Sequence, residues 1–122
     1  MPNGEAVVRL RIPIRLAPLT NVYARMHWIE RTKIKHECLL SFLSQHARFS
    51  RPLERKALIH SVRFSKSPPD PEASWMKIPL DCLKQEGGGL GVVRDDSPKY
   101  VELHCSWERS QKSSVTIEVY AL

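Results

Sequence analysis

Residues 6–16, AVVRLRIPIRL, alternate apolar side chains (Val8, Leu10, Ile12, Ile14, Leu16) with arginines (Arg9, Arg11, Arg15). A period of two sends one set to a core and the other to solvent, so the stretch predicts a half-buried strand. Pro13 has no N–H to give to a ladder, which places the strand at a sheet edge or Pro13 at a bulge. Something must cover the apolar face. After an APLTN loop, residues 22–47 carry Ile34, Cys38 and Phe42, with Leu39 and Leu43, at spacings of three and four, and predict a long amphipathic helix. Arg31, Lys33, Lys35 and His36 lie on its other side, and Asn21 or Thr20 is available to cap its start.

The remainder extends the pattern. Residues 57–64, ALIHSVRF, predict a second strand after a polar loop broken by Pro52. Asp70 followed by Pro71 suits an N-cap with proline in the first helical turn, so a second helix is expected over 71–85, kinked where Pro79 deprives the Trp75 carbonyl of its donor. EGGGLG is a flexible connection. Residues 100–107 (YVELHCSW) and 114–120 (SVTIEVY) alternate across a polar turn and predict a terminal hairpin. The order is β-α-β-α-β-β, an α+β domain with a small mixed sheet and its helices packed on one side.

Length and composition set limits. With 122 residues, 42% hydrophobic and 26% charged, the chain is expected to form one domain over residues 1–122. No apolar run approaches the roughly 18 residues of a membrane span, and no basic segment with an apolar core opens the chain, so a cytoplasmic protein without a membrane partner is expected. Cys38, Cys82 and Cys105 are odd in number and lack a C-x-x-C pair, which points to buried thiols rather than disulfides or a zinc knuckle. The five histidines lack an i, i+4 zinc pairing, and GGGLG lacks the lysine of a phosphate loop.

The net charge of +6 is unevenly spread. Residues 1–66 hold 13 Lys and Arg against 4 acids, whereas residues 67–122 hold 6 against 9. A cationic half collects phosphates and releases their counterions, the electrostatic basis of nucleic-acid binding, although it also serves solubility. Asn21, Tyr23, Arg25 and His27 at one helix start, continued by Arg31, Lys33, Lys35 and Lys66, are the candidate DNA contacts. Trp28, Trp75 and Trp107 are candidates for stacking on unpaired bases, with core packing the commoner fate.

The acids lie where loops meet regular structure. Asp70, Glu72, Asp81, Asp95 and Asp96 repel one another unless protonated or bound to a cation, and an all-oxygen set selects Mg²⁺ or Mn²⁺. Each also suits a plainer structural role, Asp70 as a helix cap, Asp95 or Asp96 in an Asx turn before Ser97-Pro98, Glu72 and Asp81 as solvated helix positions.

LTNVYARMHW with a basic helix, then RFSKSPPDPEASWMKIPLDCL, then GLGVVRDDSPKYVEL and a last strand resemble the RusA family of phage and prophage Holliday-junction resolvases over most of the chain. That family carries D-x-D-N, a lysine further along, D-x-L, and G-V/I-x-x-D-D. Asp70, Lys77, Asp81-Cys82-Leu83 and Gly91-Val92-Val93-Arg94-Asp95-Asp96 stand here in that order. The resemblance implies a homodimeric endodeoxyribonuclease that cuts branched DNA with Mg²⁺ or Mn²⁺. Asp70, Glu72, Asp95 and Asp96 would be metal ligands, and Asp70, Glu72, Asp96 and Lys77 catalytic. Glu72 and Ala73 depart from the family's second Asp and its Asn. A relative that binds branched DNA without cutting it is therefore a second expectation, and a basic protein-interaction module a third.

Overall fold

In the computed structural model, which describes residues 4–122, strand β1 (Val8–Ile12) buries Val8, Leu10 and Ile12 and exposes Arg9 and Arg11, as its alternation predicts. Residues 1–3 of the expected domain lie outside the described residues. A 3-10 turn (Ile14–Leu16) leads to α1 (Thr20–Arg25) and α2 (Trp28–Gln45), followed by β2 (Ala57–Ser65), α3 (Lys77–Leu83), β3 (Val101–Arg109) and β4 (Ser114–Ala121). The strands form one mixed sheet in the order β1-β4-β2-β3. β4 is antiparallel to both neighbours, and β3 is parallel to β2. The inward residues of β1, β2 and β4 form one apolar cluster with Cys38 and Phe42 of α2 and Ile78, Cys82 and Leu83 of α3. The α+β class, the mixed sheet and the edge position of β1 therefore stand as expected. Among the described residues no helix is long and apolar enough to cross a membrane.

Three local expectations are corrected. The helix expected over 22–47 is two helices, because Met26 and His27 are extended. The break is stabilised from both sides. His27 Nδ1 accepts from Ile29 N–H (3.3 Å) at the start of α2, while the Arg31 guanidinium donates to the carbonyls of Tyr23 (3.1 Å) and Ala24 (3.2 Å) at the end of α1. Leu19, not Thr20 or Asn21, is the N-cap of α1.

The helix expected over 71–85 begins only at Lys77. Residues 70–73 instead close a turn, with Ala73 N–H donating to the Asp70 carbonyl (2.9 Å), and Pro71 suits its second position. Asp70 is therefore no helix cap; Met76 holds that place. Pro79 falls in the first turn of α3, where N–H groups have no partner in the helix, so it causes no kink.

The terminal hairpin does not form. β3 and β4 are consecutive, yet β2 lies between them. Both alternate in sequence, but β4 has Val115, Ile117 and Val119 fully buried and takes the interior of the sheet, whereas most of β3 is exposed and takes the edge. That placement also exposes Cys105, while Cys38 and Cys82 are buried as expected.

One buried polar network ties the β2–α3 loop to the sheet. Trp75, only 4% exposed, donates its indole N–H to Ser61 Oγ on β2 (2.9 Å). The Arg63 guanidinium lies 5.7 Å from the centre of the Trp75 ring and donates to the Ala17 carbonyl (2.9 Å). Burial draws the Arg63 pKa below the ordinary arginine value. Replacing Ser61 with Ala removes the acceptor and leaves a buried indole N–H unpaired, so Ser61→Ala should cost about 1–3 kcal/mol in urea denaturation with an unchanged m-value.

Candidate functional site

The β2–α3 loop and the start of α1 are fastened face to face by Thr20 and Ser74. Thr20 donates both its N–H (2.8 Å) and its hydroxyl (2.9 Å) to the Ser74 carbonyl, and accepts from Ser74 N–H at Oγ1 (3.1 Å). Between them opens a cavity of about 550 Å³ whose wall is formed by Thr20, Asn21 and Ala24 on one side and the 70–73 turn on the other. Asp70, Glu72 and Asn21 thus line one space, and all three are solvent-exposed. Two carboxylates and a carboxamide are hard oxygen donors. They match Mg²⁺ or Mn²⁺, which bind through one or two carboxylates and complete their shell with water and substrate phosphate. Lys77 is the exposed first residue of α3, four residues after the 70–73 turn.

The remaining acids gather elsewhere. Asp81 of α3 pairs with Lys84 (3.2 Å) and with Lys35 of α2 (3.7 Å). Burial opposes the charge on Lys84, but the Asp81 carboxylate, with Asp96 and Glu86 beyond it, outweighs burial and holds the ammonium above the usual lysine range. Asp95 Oδ1 accepts from Ser97 N–H (2.8 Å), the Asx turn that was its plainer reading. The structure therefore joins Asp70 with Glu72, and Asp96 with Asp81 around Lys84, but does not merge the two groups. Among the described residues no three His, Cys, Asp or Glu side chains are grouped to hold a metal ion. The late start of α3 explains the division, since residues 70–73 sit against α1 while Asp81 faces α2.

The basic candidates separate in the same way. Tyr23 and Arg31 pack on each other (4.4 Å from guanidinium carbon to ring centre), and Arg31 and His27 serve the helix break described above. Lys35 is engaged by Asp81. Lys33 lies on a different face of α2, beside Glu30 and Glu37 in a second groove of about 560 Å³. Asn21, Arg25 and Lys66 are exposed as a phosphate contact requires.

Sequence reasoning missed the loop between α2 and β2, where Arg48, Arg51, Arg55 and Lys56 are all exposed. Phe49 N–H donates to the Leu90 carbonyl and Leu53 N–H to the Val92 carbonyl (both 2.9 Å), which stitches this loop along the stretch leading to Asp95 and Asp96. The run of cations from Arg48 to Lys56 was the available signal. Of the tryptophans, Trp75 is core, Trp107 half-buried with its N–H on Ser65 Oγ (2.9 Å), and Trp28 is 67% exposed, its indole tilted against His27.

Comparison with known proteins yields no relative: no protein family, curated protein or solved structure matches the chain significantly.

The Asx turn has a pH signature. The Ser97 amide foremost, then the Ser97 hydroxyl, with Lys84 and Arg94 further off, hold the Asp95 carboxyl below the usual carboxylate range. A depressed carboxyl contributes its stabilisation above the unfolded-state value, about 3.9, and loses it as pH falls through the folded value. The Ser97 amide resonance should thus stay constant from neutral pH down to about pH 5 and move only below about pH 4. In Asp95→Asn the acid shift should disappear.

Proposed function

We propose that this chain is a branched-DNA endonuclease of the kind the RusA resemblance implies, with Asp70 and Glu72 as its metal-binding carboxylates. The observation that carries the reading is the cavity in which two acids and Asn21 share one wall, in a chain whose cationic loop residues and Arg25, Lys66 and Lys77 are exposed. A bound Mg²⁺ or Mn²⁺ would supply Lewis-acid stabilisation of the phosphate and lower the pKa of a bound water. The chain's own groups divide the remaining work. Asp70 and Glu72 hold the cation, the Asn21 carboxamide orients a phosphate oxygen or a water, and Lys77 offsets charge that builds on the leaving oxygen. Exposed Arg and Lys neutralise flanking phosphates, and the face of Trp28 is open to an unpaired base. Paired incisions of a four-way junction call for two such sites at fixed separation, which a homodimer provides.

A second reading is a relative that grips the junction without cutting it. The division of the acids into two groups favours it, since the cavity holds two carboxylates and Asp95 and Asp96 lie with Lys84 instead.

Synthetic four-way junctions incubated with the protein and Mg²⁺ or Mn²⁺ distinguish the two. On the first reading, nicked products form, and Asp70→Asn or Glu72→Gln lowers the rate by roughly 10²–10³-fold with junction affinity retained. On the second, affinity falls steeply as salt rises and no product appears with either metal. Failure to bind junctions even at low salt would dispose of both.

A further inference from the structure

The two edges of the sheet are finished in opposite ways. β1 is five residues long, is followed by Pro13, and is closed by a side chain: Arg11 N–H donates to Gln45 Oε1 (2.8 Å) and Gln45 Nε2 donates to the Arg11 carbonyl (2.7 Å). The carboxamide takes the place of a neighbouring strand. A short edge carrying charge and ending at proline is how sheets avoid sticking to one another.

β3, the other edge, carries charge at Glu102, Glu108 and Arg109 but lacks the short length, the proline and the side-chain closure. It runs for nine residues without proline, and beyond Val101, whose N–H donates to the Ser97 carbonyl (3.0 Å), no backbone hydrogen bond occupies its outer side among the described residues. Ala57 N–H donates to the Tyr100 carbonyl (2.8 Å) and Ser110 N–H to the Ser65 carbonyl (2.9 Å). Even-numbered residues of β3 therefore turn their backbone toward β2, and odd-numbered ones, from Val101 to Arg109, turn theirs outward. The helical layer also stops short of this strand. Leu103 and Cys105 lie in register with Ile59 and Ser61 of the core face, yet Leu103 is 36% exposed and Cys105 is open.

We infer that β3 is a self-association edge, on which a second copy of this chain pairs antiparallel about a two-fold axis at Ser106, joining two four-stranded sheets into one. Side-chain chemistry selects that centre. Centred on Cys105, the pairing would set Glu102 against Glu108 of the second copy, like charges directly opposed. Centred on His104, it would oppose imidazole to imidazole. Centred on Leu103, it would leave Trp107 and Arg109 beyond the paired segment. Centred on Ser106, it sets His104 against Glu108 of the second copy on one face. On the other face Cys105 meets Trp107, and Leu103 meets the aliphatic stem of Arg109, each contact made twice. The outward backbones of residues 103–109 then pair with one another, as an antiparallel ladder requires. Because the strand complements itself under a two-fold rotation, the partner it fits is its own copy. The inference stands on strand geometry and not on the nuclease reading.

Sedimentation equilibrium of the full chain without DNA should report twice the 14.0 kDa chain mass. Cys105→Lys, which puts a charge on an exposed residue with an outward backbone, should sediment at 14.0 kDa with an unchanged circular dichroism spectrum. Facing strands at a two-fold in a non-hydrogen-bonded pair stand about 4.5 Å apart between Cα atoms, within disulfide reach. A Cys105→Ser, Ser106→Cys double variant should therefore form a covalent dimer on mild oxidation, and Cys105→Ser alone should not. A wild type that stays at 14.0 kDa at every concentration overturns the inference, and so does a dimer that survives Cys105→Lys or a double variant that fails to cross-link. These measurements involve no cleavage, so they can fail while junction cutting succeeds, or the reverse.

Discussion

The Arg63–Trp75 contact is the constraint on which the site depends. β2 offers the helical layer a serine and an arginine where β4 beside it offers isoleucine and valine, so two polar groups lie inside the apolar cluster. Burying them is tolerable only because each is answered: Ser61 by the indole N–H, Arg63 by the Ala17 carbonyl and the aromatic face. Among the described residues no buried side-chain polar atom lacks a partner. The same bonds draw residue 17, just before α1, and residue 75, just after the 70–73 turn, onto one strand. The cavity between those segments follows from that anchoring, with Thr20 and Ser74 closing its rim.

How far the sequence disclosed this depends on whether a feature is local. The alternation of β1 and of β4 and the apolar stripe of α2 are local, and they appear where the periods put them. The helix break at Met26 and His27 was hidden because the stabilising groups, Arg31 above all, look in sequence like any solvent-facing cation. The 70–76 stretch is ambiguous in sequence because Asp-Pro serves equally as a helix start or as the corner of a turn. Choosing between them takes the tertiary anchor of Trp75. Strand order was beyond reach, since β3 and β4 alternate alike and only burial separates them.

The candidate site divides along the same line. That the chain is cationic in front and acidic behind was plain, and so was the identity of the carboxylates. Which carboxylates meet was not, because it turns on where α3 begins. Asp81 shows how much one helical turn matters: its spacing to Lys84 makes an ion pair at the C-terminal end of α3, Lys35 reaches it from α2, and the carboxylate that the D-x-L pattern singled out is neutralised in place.

The position of β4 bears on how the molecule is made. β1 finds its hydrogen-bonding partner in β4, with Arg9 and Glu118 joined across a separation of 109 residues, and β2 needs the same strand on its other side. During synthesis the first strand must wait, with Val8, Leu10 and Ile12 unsheltered, until the residues around Glu118, 109 positions after Arg9, have emerged from the ribosome. A nascent chain of this design leaves those side chains open to chaperones and proteases over that interval, and its sheet closes through a contact of long sequence separation, the kind that forms slowly.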